Sequence, residues 1–164
     1  MTIEIPLTQG KVAIIDAEDY ALVSKYKWCF SSSIGYAVSR HYVDGIKKPL
    51  LLHRLIMNAP AHLVTDHINR IPLDNRKQNL RLCTKAENNR NMPVNRKNNK
   101  SGYKGVYFSK ARSKWVANIR KDDKSIYLGI FESKNDAARM YNFWAVDMFG
   151  EYANLNIINE DVVN

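Results

Sequence analysis

Apolar and polar positions change rhythm twice along the 164-residue chain. Up to about residue 50 the apolar residues come in short runs. Val12-Ala13-Ile14-Ile15, Tyr26-Lys27-Trp28-Cys29-Phe30 and Tyr36-Ala37-Val38-Ser39 each predict a strand, with turns near Gly35 and at Asp44-Gly45. Asp16 to Lys25 predicts a short helix entered through Asp16. Leu50 to Met57 is apolar around His53 and Arg54. Val64 then leads into Asp66-His67, a loop with Pro72 and Asp74-Asn75 follows, and Leu80-Arg81-Leu82 predicts another strand. Thr84 and Glu87 have the spacing of a capping box, so a helix runs from Thr84 to about Asn91. The order here is strand, loop, strand, helix.

The stretch from Pro93 to Ser101 is polar, basic and without periodicity, as a linker is. From Gly102 three strands are predicted, at about 105–109, 115–120 and 125–131. Ser133 caps a helix whose Ala137, Tyr141, Trp144, Ala145 and Met148 share one face, and Gly150 ends it. The chain is therefore expected to be α+β. It divides into a β-rich scaffold region (1–50), a strand-loop-strand-helix core (51–92), a basic linker (93–100), a three-stranded antiparallel sheet packed on one helix (101–156) and a tail (157–164).

Hydrophobic residues make up 45% of the chain, enough for a packed core. No apolar run is long enough to cross a bilayer, and the N-terminus lacks a signal-peptide pattern. A cytosolic protein without a membrane partner is expected. Cys29 and Cys83 are far apart and form no Cys-x-x-Cys pair, so they predict reduced thiols rather than a zinc ribbon. The net charge of +9 is uneven. Residues 1–50 and 101–164 each balance at +1, whereas residues 51–100 carry +7. Seven basic residues also cluster between Lys104 and Lys124. A basic middle followed by a basic sheet reads as a footprint for a polyanion.

Within that basic middle lie Asp66, His67, Asn79 and Asn88. Phosphodiester hydrolysis requires a proton acceptor for water and positive charge on the phosphate and leaving oxygens. A neutral imidazole can supply the first, and a divalent ion held by oxygen ligands the second. Adjacent Asp and His on a strand point to opposite faces. They serve one centre only where the strand ends or twists and a crossing helix brings an Asn alongside.

These residues resemble the HNH homing-endonuclease family, with its ββα-metal fold. His67 matches the first motif position, Asn79 the central Asn, and Asn88 the last position. The upstream Leu52-His53-Arg54-Leu55 is similar to phage-type members. The resemblance implies His67 as general base, Asn79 as the residue holding His67 and the intervening loop, and Asp66 and Asn88 as ligands of a divalent ion. That ion would be Mg2+, with Mn2+ as the alternative. Asn89 neighbours Asn88, and either can be the ligand. His53 receives a structural or DNA-contacting role only.

Residues 101 to 155 resemble the plant ethylene-response-factor (Apetala-type) DNA-binding domain. The likeness runs through Tyr103-Lys104-Gly105-Val106, Trp115-Val116-Ala117, Ile119-Arg120, Leu128-Gly129, Phe131, Ala137-Ala138, Tyr141 and Phe149-Gly150. It implies double-stranded DNA lying across the sheet. Tyr107 and Ser125 stand where that family has arginine, and Tyr127 where it has tryptophan, so the plant target sequence does not carry over. Pieces LTQGKVAIIDAEDY and YKWCF resemble the region preceding the nuclease in such proteins and name no chemistry. The DNA-contacting candidates are Arg54, Arg76, Arg81, Arg90, Arg96 and Lys97, then Lys104, Tyr107, Lys114, Trp115, Arg120 and Tyr127.

Three functions compete. A metal-dependent DNA endonuclease of homing type, nicking or cutting both strands, uses every feature above. A non-catalytic, sequence-specific DNA-binding regulator would have no physical reason to keep Asp66 beside His67. An RNA-binding protein would want exposed aromatics for stacking, which Tyr107 and Tyr127 could provide.

Overall fold

The computed structural model describes residues 1–92 and 99–158. Arg96 and Lys97, most of the expected linker and most of the tail lie outside them. The chain forms two compact units, Met1–Asn88 and Asn89–Asn164. The fold is α+β in both.

Unit 1 opens with a hairpin of β1 (Thr2–Pro6) and β2 (Val12–Asp16). Alternation puts Ile5, Ala13 and Ile15 on the buried face, with Ile5 opposite Ala13 and Ile3 opposite Ile15. The expected helix from Asp16 to Lys25 is smaller than its pattern. It comprises a 3-10 turn at Ala17–Asp19 and a single helical turn, α1 (Tyr20–Val23). The reason is visible at Asp16: its carboxylate caps nothing in this helix and instead accepts the Lys77 N–H at 2.8 Å.

A three-stranded antiparallel sheet follows, β3 (Cys29–Ser31), β4 (Tyr36–Val43) and β5 (Ile46–Leu51), in that order. β3 is shorter than the apolar run around it because Trp28 turns inward and donates its indole N–H to the Val23 carbonyl at 2.9 Å. The apolar stretch 50–57 divides into the end of β5 and a short helix, α2 (Leu52–Ile56), which buries Leu52, His53 and Ile56. β6 (Val64–His67) pairs antiparallel with β7 (Leu80–Cys83). α3 (Lys85–Asn91) follows through the expected capping box. Glu87 accepts the Thr84 N–H at 2.7 Å, and the Thr84 hydroxyl accepts the Glu87 N–H at 3.3 Å.

Ile5, Leu7, Ala13, Ile15, Val23, Trp28 and Ala37 pack in one core with Leu52, Ile56 and Leu80. Residues on both sides of position 50 fill that core, so position 50 is not a boundary between cores. The β6–β7 loop is also tied to the first hairpin. Ile14 N–H donates to the Leu73 carbonyl at 2.8 Å, and Asn75 N–H donates to the Ile14 carbonyl at 2.7 Å. Lys77 adds ion pairs to Glu18 at 2.6 Å and Asp19 at 2.9 Å.

Unit 2 is an antiparallel meander of β8 (Val106–Ser109), β9 (Lys114–Lys121) and β10 (Lys124–Phe131), with α4 (Lys134–Phe149) against it. Ser133 caps α4 by accepting the Asn135 N–H at 3.1 Å, and Gly150 ends it at positive φ. Ala137, Tyr141 and Ala145 are buried beneath the sheet residues Val106, Ala117 and Ile119, as the helical spacing predicts. Asn156 closes the unit. Its amide accepts the Lys104 N–H at 2.6 Å and donates to the Lys104 carbonyl at 3.1 Å.

Gly105 is the tightest point of this unit. A Cβ there would sit 2.2 Å from the Tyr141 ring and 2.4 Å from the Asn118 carbonyl oxygen, and its φ is +72°. Gly105→Ala should therefore destabilise unit 2 by at least about 2 kcal/mol, from left-handed strain plus displacement of Tyr141. A urea titration of both proteins checks this; an unchanged midpoint would mean that the backbone at Gly105 is not fixed as described.

Candidate active site

β6 ends at His67, which is buried, as are His53, Asp66, Asp74, Asn75 and Asn79. His67 Nε2 lies 3.2 Å from Asn75 Oδ1, and Asn75 is fully buried. An amide oxygen only accepts, so Nε2 carries the proton and Nδ1 is the basic nitrogen. Two rings pack against His67. Tyr36 of β4 lies nearly parallel at 5.8 Å between centroids, and His53 of α2 meets it edge-on at 5.1 Å. Tyr36 and His53 also touch, at 4.7 Å. The Asn75 hydrogen bond and the contacts with Tyr36 and His53 thus hold the imidazole.

Burial lowers the proton affinity of His67 from its ordinary value; Asn75, Asp66 and Asp74 oppose the shift. His67 is therefore neutral near pH 7, the state a proton acceptor needs. His53 is pushed down to about 3, first by burial, then by His67 and Arg54. Its Nδ1 and the Asn75 Nδ2 are buried without a hydrogen-bond partner.

Asp66 precedes His67 on β6 and lies opposite Arg81 of β7. Arg81 donates to Asp66 Oδ2 through Nε at 2.9 Å and a terminal nitrogen at 2.8 Å, and both side chains are buried. Asn88 is half-buried on α3, and Asn89 is exposed. Among the described residues no three His, Cys, Asp or Glu side chains converge as a ready-made metal cluster. One carboxylate and one amide are nonetheless hard oxygen donors. They suit an Mg2+-type ion that keeps most of its shell for water and phosphate oxygens.

Asn79 holds the β6–β7 loop rather than the imidazole itself. Its Oδ1 accepts the Asn69 N–H at 2.9 Å, and its Nδ2 donates to the Asp74 carbonyl at 2.7 Å. The residue bonded to His67 is Asn75, which the sequence pattern places only in the loop between the two strands. Asp74 beside it is gripped by Arg76 at 2.7 Å through two nitrogens and by Asn69 at 2.8 Å. Those bonds, Arg76 first, hold the Asp74 carboxyl below the usual carboxylate range. Tyr36 was also missed, because nothing local to Gly35-Tyr36-Ala37 points to residue 67. The Asp-Asn pair inside the loop was the available signal for Asn75.

Several cations expected on DNA serve the fold. Arg54 donates to the carbonyls of Leu63 at 2.7 Å, Pro60 at 2.9 Å and Ala59 at 3.1 Å. Arg76 and Arg81 are paired as above. Arg90 lies over the Phe149 ring at 4.7 Å. Lys104 donates to the carbonyls of Arg90 at 2.5 Å and Met92 at 3.1 Å. Trp115 shares the helix-facing side of β9 with Ala117 and Ile119 and packs against that core, so its placement is that of a packing residue. Tyr107 and Tyr127 are exposed on the opposite face, which also carries Lys114 and Arg120. Lys114 pairs with Glu132 at 2.6 Å, and Arg120 with Asp123 at 3.3 Å, both near solvent.

Residues 51–90 match the family model described as HNH endonuclease. Over 153 residues the chain is 29% identical to an uncharacterized HNH endonuclease of Acanthamoeba polyphaga mimivirus, spanning 92% of this chain and 78% of that protein. Over 65 residues it is 38% identical to Protein 3.8 of Escherichia phage T7, spanning 40% of this chain and 53% of that protein. No solved structure matches. These similarities are to HNH endonucleases, and they include the segment built around His67.

The buried His53 makes a pH prediction. The unfolded chain takes up this proton near the ordinary histidine value of 6.5, the folded chain only near 3. The unfolded state therefore binds more protons in that window, and stability present above about pH 6.5 is lost as pH falls. One such proton contributes a slope of about 1.4 kcal/mol per pH unit; His67 acts in the same direction. Urea midpoints between about pH 6.5 and 4 should fall more steeply for the native chain than for His53→Phe. Equal slopes would mean that His53 protonates freely in the folded state.

Proposed function

We propose, from the HNH endonuclease match of residues 51–90, that the chain is a metal-dependent DNA endonuclease of homing type. The observation that carries this reading is the seat of His67: buried, neutral, and held at Nε2 by Asn75 at the end of β6, directly after a carboxylate. His67 Nδ1 accepts the proton of the attacking water. Asn75, Tyr36 and His53 fix the ring, and Asn79 fixes the loop that carries Asn75. Asp66 and Asn88 would hold the divalent ion, Mg2+ or Mn2+. When bound, the ion supplies positive charge to the phosphate and to the leaving oxygen. Double-stranded DNA is the proposed substrate, cut on one strand or both. In unit 2 the open sheet face with Tyr107, Lys114, Arg120 and Tyr127 would add contacts in a groove, supported by alternation that puts these four on the side away from α4.

One observation favours a second reading. Arg81 already neutralises Asp66, so a chain that binds DNA without cutting it would also be stable in this arrangement. Supercoiled plasmid incubated with and without Mg2+ separates the two: nicked or linear product appears only if the site is catalytic.

His67→Ala should lower the cleavage rate about a hundred- to ten-thousand-fold while DNA affinity stays near that of the native chain. Single-turnover cleavage and a binding titration test both halves. Cleavage at the native rate would remove His67 from the reaction.

Asp66→Ala and Asn88→Ala should each raise the Mg2+ concentration needed for half-maximal cleavage, Asp66→Ala more, because a charged carboxylate binds a hard ion better than an amide does. Unchanged midpoints in both variants would exclude them as ligands. A shift on Asn89→Ala alone would move the amide ligand by one residue.

A further inference from the structure

Unit 1 carries a second basic feature away from His67. β3 begins only at Cys29, so β4 is paired on that side along Tyr36–Val38 and no further. Beyond Val38 a groove of about 650 Å³ opens between β4 and the preceding segment, lined by Lys25, Tyr26, Lys27, Cys29, Ser39, Arg40 and Tyr42. None of these residues is acidic. No ion pair among the described residues uses Lys25, Lys27 or Arg40, in contrast to Arg76, Lys77 and Arg81 of the same unit. All three are exposed, and Tyr42 is 70% exposed beside them. Three cations left without acids around an open groove form a site for a polyanion rather than a network holding the fold.

The strand that builds this groove also builds the active site. Residues two apart on a strand share a face, so Tyr36, Val38, Arg40 and Tyr42 point to one side of β4. Tyr36 is the residue stacked on His67. Arg40 and Tyr42 therefore continue the surface on which the proposed scissile phosphate would sit. Six residues of strand rise about 20 Å, the length of about six base pairs of duplex.

We propose that the groove lined by Lys25, Lys27, Arg40 and Tyr42 binds the phosphate backbone of the same DNA duplex about six base pairs from the phosphate at His67. The inference rests on the endonuclease reading for its geometry but is tested by binding alone. Each neutralised phosphate contributes about 0.9 to the slope of log affinity against log salt. In the full-length chain, the Lys25→Gln, Lys27→Gln and Arg40→Gln substitutions combined should lower that slope by about 2.7 on a random-sequence duplex, and each alone by about 0.9. Lys48→Gln, from the opposite face of the same sheet, should leave it unchanged. Saturating duplex should also protect Lys25 and Lys27, but not Lys48, from reductive methylation read by mass spectrometry. Native slopes in the single variants, with Lys25 and Lys27 still methylated on the DNA-bound chain, would overturn the groove. A chain that shows both effects yet never cuts plasmid keeps the groove and loses the endonuclease reading. Tighter protection by an RNA duplex of equal length would overturn the assignment to DNA.

Discussion

The hydrogen bonds between Ile14 and the β6–β7 loop are the constraint on which unit 1 turns. They fix Leu73 and Asn75 against β2, and Asn75 in turn fixes His67. A loop of a dozen residues with proline in it has many conformations of its own. Here its backbone is bound by a strand from the start of the chain, by Asn79 across its base, and by Asp16 at Lys77. Orientation of the imidazole is thus the end of a chain of bonds that begins at the first hairpin. This explains why the first fifty residues share one core with residues 51–88 rather than forming a separate body.

Electrostatics divides the basic residues into two populations. One holds the fold: Arg54 on three carbonyls, Arg76 on Asp74, Arg81 on Asp66, Lys104 on the end of α3. Burial of Arg81 and Asp66 together is weak evidence for stability gained, since desolvating both offsets much of their attraction. It is better explained as positioning, because the pair fixes the carboxylate next to His67. The other population faces water, and only that one is available to a polyanion. Net charge alone does not separate them: Arg54, Arg76, Lys77 and Arg81, four of the cations behind the +7 balance of 51–100, are engaged within the fold.

What could be read from the sequence followed from local physics. The capping box at Thr84, the cap at Ser133, the stop at Gly150 and the three strands of unit 2 each depend on residues within a few positions, and each lies where its pattern put it. The Asp66-His67 strand and its partner at Leu80 were legible for the same reason. The losses were long-range. Asp16 looked like a helix cap but is bound to Lys77, sixty-one positions away. Tyr36 meets His67 across thirty-one positions. Asn75 was hidden by its type, since an asparagine after aspartate in a loop is ordinarily a turn residue.

The Asn156 amide joins both backbone groups of Lys104, so the residues that bracket the sheet and helix of unit 2 are stitched side by side. A body whose ends meet can be spliced into a host chain at almost any exposed loop without stretching either. Unit 1 is tied differently: its first strand pairs with β2, and β2 bridges to a loop far downstream. The segment from Lys104 to Asn156 thus enters and leaves its sheet and helix at one point, whereas unit 1 is tied together from its first hairpin to the β6–β7 loop.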